Sequence, residues 1–419
     1  MSTGTATVPD RVSETTTPAP RRLRYALILG GLSAFGPLSI DMYLPAFPGM
    51  TGDLGTAEST LQLTLTAFVM GLAVGQLVIG PLSDALGRRR PLIAGIAVYA
   101  VASVLCALAP SAELLIAARV LQALGAAAGI VVARATVRDL FSGTAMTKFF
   151  SMLMLVNGLA PILAPVIGGQ VLQWTSWRGV FVVLTVFGVL LLAVVAIAMP
   201  EPLPPHRRRP ARIRTIAATY RGLLGDRAFV GYALTSGLTF AGVFAYISGS
   251  SFVLQEVYAL SPQQYSLAFG LNGIGIVIAG QINGRIVGRF PERVLLRAGL
   301  LGSTTGAVAM VVAAATAAPL PYLMVPLFLV VSGIGLIMPN TMSLALADHP
   351  HTAGAASALL GVVQFVVAGL ASPLVGLFGE GSAVPMASIM AGFGLLALLT
   401  FSTLTRAGIA APPAVREAA

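Results

Sequence analysis

The sequence predicts an all-α membrane protein: twelve transmembrane helices in two pseudo-symmetric six-helix bundles. Three observations lead there. Hydrophobic residues make up 56% of the 419-residue chain and charged residues only 10%, whereas a soluble domain carries about 25% charged residues. Twelve apolar stretches approach or exceed the roughly 20 residues that a helix needs to cross a hydrocarbon layer. The second six also repeat parts of the first.

The spans are expected at about residues 25–47, 60–81, 91–109, 112–133, 149–172, 178–199, 228–252, 264–287, 296–317, 320–345, 353–378 and 383–404. Residues 1–22 begin with a Ser-, Thr-, Pro- and Ala-rich stretch without a hydrophobic region, which predicts a disordered cytoplasmic tail. The first span is too long for a signal-peptide core and no A-x-A-like site follows it, so it is expected to be retained. Residues 23–200 form the first bundle, 201–227 a basic cytoplasmic linker containing PEPLPPHRRRPARIR, 228–405 the second bundle and 406–419 a cytoplasmic tail.

Internal similarity supports the division into halves. YALILGGLSA from Tyr25 and YALTSGLTFA from Tyr232 share Tyr, Ala, Leu, a later Gly and a final Ala. LAPVIGG from Leu163 and ASPLVGL from Ala371 share P-x-x-G at nearly the same offset. Two related bundles with a site between them are a transporter architecture, with binding near the midplane.

With the N-terminus inside, all Lys and Arg except Arg119 and Arg178 fall in tails, cytoplasmic loops or adjoining helix ends. This positive-inside asymmetry predicts a multi-pass protein of the cytoplasmic (inner) membrane, with both termini cytoplasmic. The net charge of +10 is accounted for by loops facing phospholipid, so no nucleic-acid partner is expected. Cys106 is the only cysteine, so no intrachain disulfide can form. Neither G-x-S-x-G nor H-E-x-x-H occurs and no histidine falls within a span, which argues against an enzyme. His349 and His351 lack a third ligand, and neither a metal nor a cofactor is expected.

Four features carry candidate chemistry. In SIDMYLPAF, residues 39–47, Asp41 interrupts an apolar run; a carboxylate there costs about 2.5–3.5 kcal/mol on insertion scales. Arg119 is the only basic residue well inside a span, and both lie about 9 Å below the outer end of the apolar layer. Asp41 can meet water, form a static ion pair with Arg119, or exchange protons as its surroundings change. In GPLSDALGRRR, Gly80 and Gly87 permit tight turns. Asp84, Arg88 and Arg89 can cap helix ends, pair across the interface between halves, or simply set topology. In LAPILAPVIGG, Pro161 and Pro165 favour a bent helix, while Gly168 and Gly169 admit a close neighbour.

The substrate-cavity candidates are Tyr43, Gln122, Asn157, Phe244, Tyr246, Asn272 and Gln364, each of which can equally serve interhelical packing or hydrogen bonding. Gln76, Asn283 and Asn340 share that ambiguity among polar residues, as do Phe68, Met152, Met154, Phe240 and Phe365 among apolar ones. The spacings Gly71–Gly75 and Gly280–Gly284–Gly288 suggest helix-contact faces.

GPLSDALGRRR resembles the G-x-L-x-D-R-x-G-R-R signature of the major facilitator superfamily. RVLQALGAAAG from Arg119 is similar to its R-x-x-x-x-G motif of proton-coupled members, and LAPILAPVIGG to the antiporter motif G-P-x-x-G-G. SIDMYLPAFP, ARATVRDLF and AYISGSSFV resemble the Bcr/CflA drug exporters. The likeness implies spans 1 and 4 side by side, which makes Asp41 the expected proton acceptor with Arg119 as its proton-coupling neighbour, a cytoplasmic gate latch at Gly80–Arg89, and drug:H+ antiport by alternating access. A monomer is expected, with an amphipathic molecule, protons and the bilayer as partners and the proton gradient as energy source. Ala164, Ala85 and Ser251 depart from the expected Gly, basic residue and Pro. A proton-coupled carrier of an endogenous metabolite and a non-transporting receptor are the alternatives.

Overall fold

A computed structural model describes residues 19–141, 143–208, 213–349, 352–377 and 381–405. The tails before residue 19 and after 405, part of the basic linker, and His351 lie outside the described residues. The first half comprises α1 (Ala19–Asp41), α2 (Phe47–Leu54), α3 (Glu58–Leu86), α4 (Arg89–Ala107), α5 (Ala112–Leu140), α6 (Gly143–Val171) and α7 (Trp177–Ala198). The connecting stretch contains α8 (Ile213–Gly225). The second half comprises α9 (Arg227–Phe252), α10 (Pro262–Ile286), α11 (Glu292–Ala315), α12 (Leu320–Ala347), α13 (Ala353–Leu377) and α14 (Val384–Leu404).

Among the described residues, twelve helical segments are long and apolar enough to cross a membrane, one for each expected span. Two local features were not anticipated. The first helix ends at Asp41, and after a 3-10 turn at Leu44–Ala46 the chain resumes as α2, stopped by Gly55 at φ 58°. Asp41 is therefore the last residue of α1, with more helix beyond it than the sequence suggests. The basic linker also contains α8, which buries Leu223 beside Phe229 and Tyr232.

Equivalent helices pack alike in the two halves. The α3–α5, α4–α5, α4–α7 and α1–α6 contacts recur as α10–α12, α11–α12, α11–α14 and α9–α13. The seam is built from α3 against α13 and α6 against α10, which are exchanged by the same pseudo-symmetry. Small residues make the close contacts possible: Cβ atoms at Gly71 and Gly75 would run into the Cβ atoms of Ala123 and Ala127. A Cβ at Gly125 would lie 2.6 Å from the Gly95 carbonyl oxygen. Gly280, Gly284 and Gly288 do not form the expected contact face, since Gly284 and Gly288 border open space and Gly280 has only one atom nearby, at 3.9 Å.

The hydrogen bonds seen between halves lie toward the α2 end. Ser251 Oγ donates to the Leu44 carbonyl (2.5 Å), Gln255 Nε2 to Pro45 (3.2 Å), Gln263 Nε2 to Gly169 (3.0 Å) and Ser266 Oγ to Pro165 (2.8 Å). Thr66 and Ser372 add bonds to Gly369 and Gln62. Ser251 stands where the subgroup pattern has proline, and its hydroxyl supplies one of these ties. The opposite end, which carries the Gly80–Arg90 loop, has a cavity of about 600 Å³ bordered by Asp84, Arg88, Arg138, Asp139, Leu203, His206 and Arg208.

Overpacking a dense core costs about 1–3 kcal/mol. Gly125→Leu should therefore sharply reduce the monodisperse fraction on size-exclusion chromatography, whereas Gly284→Leu should leave it near the wild-type level.

Candidate functional site: a buried charge on each side of the first helix

Arg119 is fully buried in the first half. Its Nη1 donates to Gln122 Oε1 (2.6 Å) and its Nη2 to the Ser39 carbonyl (2.8 Å), while the guanidinium lies 4.1 Å from the Phe68 ring centre and 4.6 Å from that of Tyr43. Gln122 Nε2 donates to Ser103 Oγ (2.8 Å), bringing α4 into the network. Ser39 Oγ and Tyr99 OH are 2.7 Å apart, as are Tyr43 OH and Thr64 Oγ1 at 2.8 Å. The cation is thus held by amide and carbonyl oxygens and by ring faces, without a carboxylate among the described residues.

The static Asp41–Arg119 ion pair, one of the arrangements open from the sequence, is not formed. Helix geometry gives the reason: at about 100° per residue, Ser39 points roughly opposite to Asp41. The turn that follows α1 returns Tyr43 to the Arg119 side. Asp41 instead lies on the side of the second half, with Tyr246 and Tyr265 within electrostatic range. It is 4% exposed, and its Oδ1 has no hydrogen-bond partner. Asn272 Nδ2 donates to Tyr246 OH (3.1 Å), but the Asn272 Oδ1 is likewise buried and unpartnered. Two orphan acceptors thus sit in one seam cluster.

Pro161, Pro165, Gly168 and Gly169 place α6 against this cluster. A Cβ at Gly168 would collide with the Met42 carbonyl oxygen, and one at Gly169 would come within 2.6 Å of Ser266 Oγ. The Pro165 carbonyl accepts from Ser266 across the seam. In the second half, a Cβ at Gly376 of the matching P-x-x-G would come within 2.5 Å of Ser59 Cα. Both copies of the motif allow backbone-close contact at the α2 end.

The proposed cavity residues separate into groups. Tyr43 and Gln122 belong to the Arg119 network, Tyr246 and Asn272 to the Asp41 cluster, and Phe244 is buried near Phe240. Asn157 and Gln364 are partly exposed, as are Gln76, Phe240 and Phe365. Gln364 Nε2 bonds to Ser236 Oγ and lies 3.3 Å from Met338 Sδ, while Asn157 returns its amide to the Leu153 carbonyl. Asn340 donates to Asn283 between α12 and α10 (2.6 Å).

Among the described residues, the loop motif makes its contacts within the first half and the segment just after α7 rather than across the seam. Arg88 Nη1 lies 2.5 Å from Asp84 and donates to Ser83 Oγ (2.7 Å), and Arg88 Nε lies 2.7 Å from Asp139 Oδ2 at the end of α5. Glu201 Oε1 and Oε2 accept from the backbone N–H groups of Arg88 (2.7 Å) and Arg89 (3.1 Å), placing a carboxylate at the start of α4. Arg89 Nη2 donates to the Ala196 carbonyl. Gly87, at φ 90°, leaves room for the Glu201 carboxylate. Gly80 stands beside Val131 of α5. Burial opposes the Arg88 charge, yet hydrogen bonding to Asp139 and the field of Asp84 hold the guanidinium pKa above its ordinary value. Sequence reasoning missed Asp139 and Glu201 as partners, although both lie in quoted stretches, because pairing over such separations has no local periodicity.

Asp84 is 51% exposed and Asp139 only 15%. Hydrogen bonds to charged groups contribute about 1.5–3 kcal/mol, and exposed pairs about 0.2–1 kcal/mol. Asp139→Asn should therefore lower thermal stability in detergent more than Asp84→Asn, and an equal loss from both would contradict this division of labour.

Comparison with known proteins agrees with the arrangement. Residues 29–373 match the family model described as Major Facilitator Superfamily. An uncharacterized MFS-type transporter of Bacillus subtilis, YdgK, is 43% identical over 387 residues, covering 92% of this chain and 96% of that protein. A bicyclomycin resistance protein homolog of Haemophilus influenzae is 30% identical over 91% of this chain and 96% of its own. The solved D-xylose-proton symporter shares the fold at a TM-score of 0.75, with 16% identity and 92% and 98% of the two chains covered. Two related bundles, the loop motif and the whole-length relatives lead to one conclusion: the chain belongs to the major facilitator superfamily, among transporters of the Bcr/CflA type.

Proposed function

We propose that this transporter exports amphipathic drugs in exchange for protons across the cytoplasmic membrane, with both termini and the Gly80–Arg90 loop on the cytoplasmic side. The observation that carries the reading is Asp41: a buried carboxyl in the seam between halves, near the Tyr246 and Tyr265 hydroxyls and paired with no cation among the described residues. Closing that seam over an ionised, unpaired carboxylate is costly. A proton bound while the α2 end is open removes the cost, and substrate arriving from the other end promotes its release. The proton gradient supplies the energy without a bound cofactor, at about 2.3 kcal/mol per charge per 100 mV of membrane potential. Relatives named for bicyclomycin, chloramphenicol and multidrug resistance support a drug as cargo, and the protein is taken to act as a monomer.

A screen of amphipathic antimicrobials in inverted vesicles under an imposed pH gradient identifies the cargo, and a protonophore should abolish its accumulation. In reconstituted vesicles, Asp41→Asn should then lose uphill transport while binding of a neutral substrate stays within about tenfold, or roughly 1.4 kcal/mol. Wild-type accumulation by Asp41→Asn would move the proton site elsewhere.

A further inference from the structure

The ARATVRDLF stretch of α5 contains two arginines that the site described above does not use. Arg134 and Arg138 are both exposed, although they lie in a segment long and apolar enough to span the membrane. Arg138 is close to the end of α5, where basic residues are ordinary. Arg134 is not: it lies six residues before Leu140, or about 9 Å along the helix axis.

The packing of α5 shows which way Arg134 points. Ala127 meets α3 at Gly75, Ile130 meets α1 at Gly36, and Ala128 meets α4 at Gly95. At about 100° per residue, Arg134 falls between Ala127 and Ile130, on the arc between α3 and α1 and away from α4. Arg138 is on nearly the same face and touches the second half, where a Cβ at Gly354 would lie 3.5 Å from its Nη1. Both guanidiniums therefore belong to the seam rather than to the lipid-facing surface.

Neither forms an ion pair among the described residues. Asp84 and Asp139 are engaged by Arg88, Asp226 by His349, and the Glu201 oxygens by the start of α4. The facing stretch of α13, AGAASALLGVVQ from Ala353 to Gln364, has no acidic residue. Two basic side chains elsewhere do have fixed acceptors: Arg89 uses the Ala196 carbonyl, and Arg293 the Thr405 carbonyl and hydroxyl. Open cations in a partly enclosed seam attract anions and repel cations more strongly than the same charges in bulk water.

We infer that Arg134, with Arg138 one turn nearer the loop-motif end, forms an anion-selecting subsite in the seam that takes amphiphiles bearing a carboxylate or sulfonate. This rests on the proposed entry of substrate from the loop-motif end, and it names the charge of the cargo. Arg134 is the specificity-determining residue, and Arg138 draws the anion inward.

The test uses full-length protein in discs of uncharged phosphatidylcholine, with empty discs as blanks. Equilibrium dialysis at neutral pH compares 1-naphthaleneacetate with its uncharged amide, 1-naphthaleneacetamide. The carboxylate should bind at least about tenfold tighter, and raising sodium chloride from about 20 to 500 mM should shrink that preference, because salt screens accessible charges. Arg134→Gln should bring the two affinities within about threefold, Arg138→Gln should have a smaller effect, and Arg134→Lys should retain part of the preference. A wild-type ratio below two, no carboxylate binding at millimolar concentration, a salt-independent ratio, or an unchanged ratio in folded Arg134→Gln would each overturn the inference. Should Arg134→Gln fail to fold, the wild-type salt dependence and Arg134→Lys still decide it. Dialysis needs no gradient, so failure of proton coupling in the Asp41→Asn transport assay is a separate result.

Discussion

A buried guanidinium without a counter-ion among the described residues organises the first half of this transporter. Arg119 is stabilised by oxygens and rings from several helices: the Ser39 carbonyl of α1, the Phe68 ring of α3, Gln122 of α5 and, through Gln122, Ser103 of α4. Each helix must keep its place for the charge to remain satisfied, because an uncompensated buried charge is far more costly than any one of these bonds is favourable. The rotation of α1 is thereby set. With Ser39 and Tyr43 committed to Arg119, Asp41 is left on the side of the other half.

Close approach of backbones then makes the seam. The repeated P-x-x-G brings Gly168 against the Met42 carbonyl and Gly376 against Ser59, contacts that a larger side chain would prevent. Hydrogen bonds from Ser251, Gln255 and Ser266 to carbonyls across the seam accompany this closeness. The ties are few and end in single hydroxyl or amide donors, so separating the halves at this end exposes few polar groups that water cannot serve. Such a seam suits an interface that opens and closes.

At the opposite end charge takes the place of close packing. Asp84, Arg88 and Asp139, with Glu201 on adjacent backbone N–H groups, bind the ends of α3, α4, α5 and the segment after α7 into one body. A stiff first half can move as a unit against the second, as rocking between bundles requires. The latch expected to bridge the halves is, in this conformation, an internal brace.

The sequence by itself determined the twelve helices and their grouping, because bilayer solvation imposes a length of apolar chain that can be read locally. It also singled out Asp41, Arg119, the loop glycines and the P-x-x-G pairs, whose residue types are conspicuous in an apolar setting. Only the tertiary structure decided their partners. Asp41 and Arg119 share a depth by sequence counting, yet the break in α1 and the facing of Ser39 and Tyr43 separate them. Gly71 and Gly75 became a contact face and Gly284 did not, although their spacing is the same, because closeness depends on which helix lies opposite. Hydropathy and spacing fix where a residue lies along its own helix; the rotation of that helix, and so the neighbour each side chain meets, is set by packing against chain distant in sequence.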